Sequence, residues 1–284
     1  MLQAGHSLKV RNIRLPTEGQ CITTSIKILN PHAALFFRTG NKFDSVSATY
    51  LVVSDMHLGF EHGYVERGIR INSRLFTREI LSEIYSILNI LKPEGIILLG
   101  DIKDSITYIN PVEWHHIPHF LKELSKSYHV FLVPGNHDVL IENLCPNDIS
   151  IASSTGITIE DTLFLHGHTM PSRKKSSVKK IIMGHMHPIL YRPESVLNGQ
   201  RVWIFMRVRK DSVFRNEEGF LDLVMVPSIN QYIMPTYAYK KNSIHSRSPI
   251  MRRVTRIPNN IERALVISLE GYVLGDQDLL PFIT

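Results

Sequence analysis

Cysteine is scarce: Cys21 and Cys145 are the only two in 284 residues. Two thiols cannot build a disulfide framework, so stability has to come from a buried apolar core, and the chain suits a reducing compartment. Neither lies inside the motifs described below, which argues against a zinc–thiolate structural site. Long apolar runs are missing too. None approaches the roughly 20 residues that a membrane-crossing helix needs. The N-terminus, with Gly5, His6, Asn12 and Pro16, lacks the apolar centre of a secretory signal. The expectation is a cytoplasmic protein with no membrane association. Tryptophan is as rare as cysteine, and Trp114 and Trp203 are expected to serve packing rather than base stacking. An acidic excess is absent: 32 Lys and Arg against 26 Asp and Glu give a formal charge of +6, compatible with a polyanionic partner. Internal repeats and long low-complexity segments are also lacking.

What the chain does have is five short polar motifs, each directly after an apolar run. They are Asp55-Met56-His57, Gly100-Asp101-Ile102-Lys103-Asp104, Gly135-Asn136-His137-Asp138, His166-Gly167-His168 and Gly184-His185-Met186-His187. The runs before them, at 50–53, 96–99, 130–133, 162–165 and 181–183, read as buried strands of an α/β protein. Open α/β sheets place their ligand crevice beyond the carboxyl ends of strands, so polar residues there inherit fixed positions.

The intervening segments support the same class. Ala33–Phe37 and Tyr50–Val53 read as a hairpin across a polar connection. From Ser73 to Leu91, the residues Phe76, Ile80, Ile84, Ile87, Leu88 and Leu91 keep helical spacing, and Pro93-Glu94-Gly95 ends the pattern. Pro111 starts a second helix through Trp114, Ile117, Leu121 and Leu124, with Pro118 making its first turns irregular or shifting its start. After His187 the pattern turns to strands, at 202–206, 221–226, 264–268 and 271–274, while Tyr237 to Asn260 gives no element. The expectation is an N-terminal extension over residues 1–30 and a single domain over 31–284 with a β-rich C-terminal part. Two facing sheets with helices outside would accommodate it.

Asp55 and His57 alternate about Met56, so both can reach one ion from a single pleat face. Asp101 can bridge two ions with its two oxygens. Asn136 offers a neutral carbonyl oxygen, and His166, His185 and His187 offer imidazole nitrogens. These donors suit Mn, Fe, Zn and similar divalent ions.

The five motifs, in this order, resemble the calcineurin-like metallophosphoesterase superfamily. Ser54-Asp55-Met56-His57-Leu58-Gly59, with Glu61 and Gly68-Ile69, and Gly184-His185-Met186-His187-Pro188 look like its branch of predicted phosphoesterases related to the double-strand-break repair nuclease. The resemblance covers 51–188 firmly and reaches more weakly to Pro227. It implies a four-layer α/β/β/α sandwich of two mixed sheets flanked by helices. It also implies two divalent metal ions, manganese first, with Fe, Zn, Ni or Mg as alternatives. Asp55, His57, Asp101 and His187 would hold one ion, and Asp101, Asn136, His166 and His185 the other. The implied activity is phosphodiester hydrolysis by a metal-bridging hydroxide. His137 would stand on the substrate side, protonating the leaving oxygen or steadying phosphoryl charge. Asp138 or Asp104 would orient its ring. Asp104 departs from relatives that carry His there, and His168 is a second imidazole beside His166, open to a substrate contact.

Three functions stay open: a DNA or RNA nuclease, a phosphodiesterase for a small substrate such as a cyclic nucleotide, and a metal-retaining nucleic-acid-binding or scaffold protein without turnover. The basic cluster Arg173, Lys174, Lys175, Lys179 and Lys180 is expected beside the site or as a solvated loop. The stretch from Arg247 to Arg256 is expected on the surface. Arg67, Arg70 and Lys103 read as solvated side chains that could also meet a phosphate. His115, His116 and His119 share a helix, but satisfied or surface histidines are the plainer account.

Overall fold

The computed structural model of the chain describes residues 9–12, 24–40, 47–69, 71–233 and 248–283; Arg70, Arg247 and Cys21 lie outside them. Two seven-stranded mixed sheets form its centre. The first runs in order through β1 (Lys9–Asn12), β2 (Ser25–Asn30), β3 (Leu35–Arg38), β4 (Thr49–Val53), β5 (Gly95–Leu98), β6 (His129–Leu132) and β7 (Ile149–Ile151). β1 to β4 pair antiparallel, and β4 to β7 pair parallel. The second contains β8 (Ile157–Ile159), β9 (Thr162–Leu165), β10 (Lys180–Met183), β11 (Val202–Arg209), β12 (Phe220–Met225), β13 (Ile261–Ser268) and β14 (Val273–Gly275), in the order β14-β13-β11-β12-β10-β9-β8. There β9, β10 and β12 are parallel neighbours. Residues 1–30, expected as an extension, thus contribute β1 and β2 to the first sheet.

The two-residue period of each strand sorts its side chains between layers. In β4 and β5, Leu51, Val53, Ile96 and Leu98 face the helices, while Val52 and Ile97 face the other sheet. Between the sheets Phe37 meets Phe164 edge-on at 4.9 Å, and Trp203 is fully buried. Helices α1 (His62–Val65), α2 (Ser73–Leu91) and α3 (Pro111–Ser125) follow motifs one and two. Helix α2 packs Ile80, Ile84, Ile87 and Leu88 onto the first sheet and ends at Lys92, which is left-handed, just before Pro93. Helix α3 starts with a capping box between Asn110 and Glu113, followed by Pro111 at the first helical position. It continues unbroken through Pro118. Its stripe of Ile117, Phe120, Leu121 and Leu124 is buried, but Trp114, at the edge of that stripe in the first turn of the helix, is 52% exposed. The packing role expected for Trp114 therefore does not hold.

A further helix, α4 (Pro249–Arg256), lies where the sequence suggested no element. Ile250, Met251 and Val254 join the core on the outer face of the second sheet, leaving Arg252 and Arg256 outward. The layers are therefore helix, sheet, sheet, helix. Among the described residues no helix is long and apolar enough to cross a membrane.

Candidate metal centre

Each candidate ligand follows the carboxyl end of a strand: Asp55 and His57 after β4, Asp101 after β5, Asn136 after β6, His166 after β9, and His185 and His187 after β10. Because β4, β5 and β6 are parallel in one sheet and β9 and β10 in the other, five chain exits open onto one crevice. The turns are forced. Asp55, His57, Asp101, His185 and His187 hold φ values of 59°, 44°, 49°, 67° and 41°. The left-handed region costs an L-residue about 1–2 kcal/mol. Half of the ten described non-glycine residues in that region are candidate ligands, so strain gathers where polar side chains must converge.

Asp55, His57, Asp101 and His187 offer ligand atoms within 4.8 Å of one another, and Asp101, His166 and His185 form a second such group. Asp101 belongs to both. In the first, His187 Nε2 is 3.0 Å from Asp55 Oδ1, and His57 Nε2 is 3.3 Å from His187 Nε2 and 3.6 Å from Asp101 Oδ2. In the second, His166 Nε2 lies 3.2 Å from Asp101 Oδ2 and 3.2 Å from His185 Nδ1. In His166 and His57 the other imidazole nitrogen is anchored outside. His166 Nδ1–H donates to the Leu99 carbonyl at 2.7 Å, and His57 Nδ1–H to Asp104 Oδ1 at 3.2 Å. Each anchor aims Nε2 inward, as ligand histidines require.

This donor set fits a pair of divalent cations. Its members are carboxylate and imidazole groups, and Asn136 Oδ1 is buried without a hydrogen-bond partner on the adjoining loop. Burial alone would raise the Asp101 carboxyl, but His166, His57 and His137 hold it well below the usual carboxylate range. Asp55 is likewise lowered against its burial, chiefly by His187 and His166. Burial would lower His166, yet Asp101 and Asp55 push it up to about 9. Such opposed shifts mark a place where clustered negative charge favours a cation.

His137 stands at the edge, half-buried, its ring 4.8 Å from that of His57. Its backbone N–H donates to Asp101 Oδ1 at 2.9 Å, and its Nδ1 contacts the Asp104 carbonyl oxygen. That backbone contact, rather than a carboxylate, orients the ring. The Asp104 side chain is on His57 instead, and His57, Asp104 and His137 form a third close group. Asp138 is also engaged elsewhere: Oδ1 accepts from the amides of Ile102 at 2.8 Å and Lys103 at 3.3 Å, and Oδ2 from that of Gly135 at 2.8 Å. It clamps the second motif to the third, and its expected partnership with the His137 ring gives way to these amides. Burial and Asp101 raise its carboxyl while the amides oppose them. His168 sits beside His166 and His185, with Nδ1 buried and unpartnered, and burial pushes it down to about 4.

Several supporting residues escaped the sequence reading. Lys103, expected in solvent, is fully buried, and its ammonium binds the carbonyls of Ser105 and, at 2.9 Å, Tyr108. Ser228 Oγ–H donates to the Asp55 carbonyl and Asn230 Nδ2–H to that of Met56, both at 2.7 Å, so the exit of β12 braces the first motif. Glu113 accepts from the amides of Asp104, Ser105 and Asn110. Removing it strands three donors, so Glu113→Ala should cost about 3 kcal/mol in urea unfolding. It should also lower activity by releasing Asp104 from His57. Unchanged stability would show that water replaces the carboxylate.

Two lysines of the basic cluster are engaged in structure, and the helix histidines follow their plainer account. In the basic cluster, Lys175 binds the Thr155 carbonyl at 3.0 Å, and Lys180 pairs with Asp161 at 3.1 Å at the strand end away from the crevice. His116 is buried against Ser73, and His119 faces Glu123, so the helix histidines do not converge.

The fold resembles the nuclease MPE of Pseudomonas putida, at 16% identity over 79% of this chain and 88% of that one, with a TM-score of 0.47. It also resembles the phosphoesterase YfcE of E. coli, at 13% identity over 81% and 98%, with a TM-score of 0.38. No curated protein matches the chain. Residues 48–215, carrying all five motifs and more than half of the sequence, match the calcineurin-like phosphoesterase family, and the chain belongs to it.

Proposed function

We propose that this chain is a metal-dependent phosphoesterase that hydrolyses phosphodiesters, with DNA or RNA as its leading substrate. One observation carries the reading: Asp101 belongs to both close ligand groups, so a single carboxylate joins two binding positions in one crevice. Two divalent cations held there would polarise a phosphoryl oxygen and make water a stronger nucleophile. The donors contribute only the two carboxylates Asp55 and Asp101, which favours an anionic ester over a neutral one. His137 Nε2 lies 3.9 Å from Asp101 Oδ2 while Nδ1 is held by Asp104, so the free nitrogen faces the ester. There Nε2–H can donate to the leaving oxygen. The buried walls, Asp55, His57 and His166, exclude bulk water and strengthen each of these contacts.

The test restores Mn, Fe, Zn, Ni or Mg separately to chelated protein and follows an aryl phosphodiester, an aryl phosphomonoester and DNA. Diester turnover that DNA inhibits competitively supports the nuclease form. Turnover that DNA leaves untouched points to a small diester. Metal uptake without turnover on any ester overturns the enzymatic reading.

A further inference from the structure

Three residues beyond His57, Phe60 begins a cluster of contacting rings beside the first motif. Phe60 stacks on Tyr232 with centroids 6.2 Å apart and planes 12° from parallel. Phe76 meets them edge-on at 5.0 and 4.8 Å, and Tyr64 lies 6.5 Å from Phe60. Both stacked rings are tied to the first motif. The Phe60 N–H donates to the His57 carbonyl at 3.2 Å. The Tyr232 N–H donates to Asn230 Oδ1 at 2.9 Å, and the same Asn230 side chain holds the Met56 carbonyl.

None of the four rings belongs to the three buried apolar clusters, and Tyr64 and Tyr232 are 38% and 39% exposed. Aromatic surface left facing water beside a polar crevice marks a contact surface. Its order is already established, because the Tyr232 hydroxyl donates to Glu79 Oε2 at 2.7 Å and stops the ring from swinging. Arg67, Arg74 and Arg78 are exposed on the same stretch of chain. Flat π faces with guanidinium groups, next to a crevice suited to an anionic ester, match a strand whose bases are unpaired. A duplex turns its base faces inward and would use only the charges.

We propose that Phe60 and Tyr232 form a stacking shelf for an unpaired base neighbouring the bound phosphodiester, so that the crevice selects single-stranded nucleic acid. The shelf rests on the phosphodiesterase reading above and narrows it to one form of substrate. It acts as a specificity element: the ring faces hold a base, while the crevice holds the phosphate.

Equilibrium binding tests it on the metal-loaded full chain, with phosphorothioate linkages in the probes so that turnover does not intervene. The probes are a labelled oligothymidylate and an abasic oligomer of equal length and charge at one fixed salt concentration. Wild type should bind the thymidylate about tenfold more tightly than the abasic strand, the worth of stacking one base. Tyr232→Phe should keep that ratio, and Tyr232→Leu, which keeps apolar bulk without a ring, should bring it close to one. A wild-type ratio near one, binding of neither strand, or a ratio that survives Tyr232→Leu overturns the shelf. A ring-dependent ratio in a protein that hydrolyses no ester keeps the shelf and removes the enzymatic reading, so the two failures are distinguishable.

Discussion

Asp101→Ala is expected to remove metal and turnover together, whereas His137→Ala is expected to keep most of the metal and lose turnover alone. Asp101 Oδ2 lies 3.2 Å from His166 Nε2 and 3.6 Å from His57 Nε2, between the two ligand groups. Its Oδ1 also receives the His137 amide at 2.9 Å. Truncation therefore removes a donor from both binding positions and frees the backbone of the third motif. Diester turnover should fall by at least about 10³-fold, and bound metal should fall with it. His137 is different. Its Nδ1 is tied to the Asp104 carbonyl, and its Nε2 is 3.9 Å from the nearest Asp101 oxygen, at the open edge of the donor set. Loss of a positioned acid is worth about 10²–10⁴ in rate, and metal content should stay close to that of wild type. Elemental analysis of dialysed protein beside aryl diester kinetics separates the two variants. Equal metal loss in both would move His137 among the ligands and leave the leaving oxygen without its donor.

What could be read from the sequence follows from where the physics is local. Asp55, Asp101, Asn136, His166 and His185 each stand just beyond an apolar run, and a polar residue at a buried strand's end is visible in a short window. Helix α2 was equally plain, because Ile80, Ile84, Ile87 and Leu88 repeat at helical spacing between Asn72 and Pro93. The short elements were not: β7 and β8 have three residues each, and α4 only eight. In α4 three basic residues mask the apolar trio that packs against the second sheet. The bracing residues were hidden for another reason. Ser228 and Asn230 act on Asp55 and Met56 across more than 170 positions of sequence. Their signal was weak but present, since Pro227-Ser228-Ile229-Asn230 also follows an apolar strand. Asp138 shows the limit most clearly. A carboxylate beside a histidine in sequence suggested a pair, yet three backbone amides converging from the second and third motifs claim it. Residue type indicated that a carboxylate was needed, and only the folded chain indicated for what.

Gly184→Ala is expected to disable the site through one methyl group. A Cβ on Gly184 would stand 1.7 Å from Ser54 Oγ and 2.8 Å from Asp55 Oδ2, closer than packed atoms approach. Neither neighbour can yield cheaply. Ser54 is fully buried, with its hydroxyl 2.7 Å from Asp55 Oδ2 and 2.9 Å from the Leu99 carbonyl oxygen. Asp55 in turn accepts the His185 amide at 3.1 Å. The chain at 184 must move outward instead, carrying His185 and His187 away from Asp101 and Asp55. Overpacking of this kind costs about 1–3 kcal/mol. A displacement near 1 Å at reacting groups costs about 10²-fold in rate, so activity should fall further than stability accounts for. Gly63→Ala is the matching control: its added Cβ meets nothing within 4 Å, and neither property should change. The mechanism also predicts its own rescue, since Ser54→Gly removes both Ser54 atoms that the methyl strikes. In a double-mutant cycle, Ser54→Gly with Gly184→Ala should recover much of the activity that Gly184→Ala loses, a coupling expected only of residues in contact. Strict additivity of the two changes would mean that the fifth motif approaches the first less closely than these distances require.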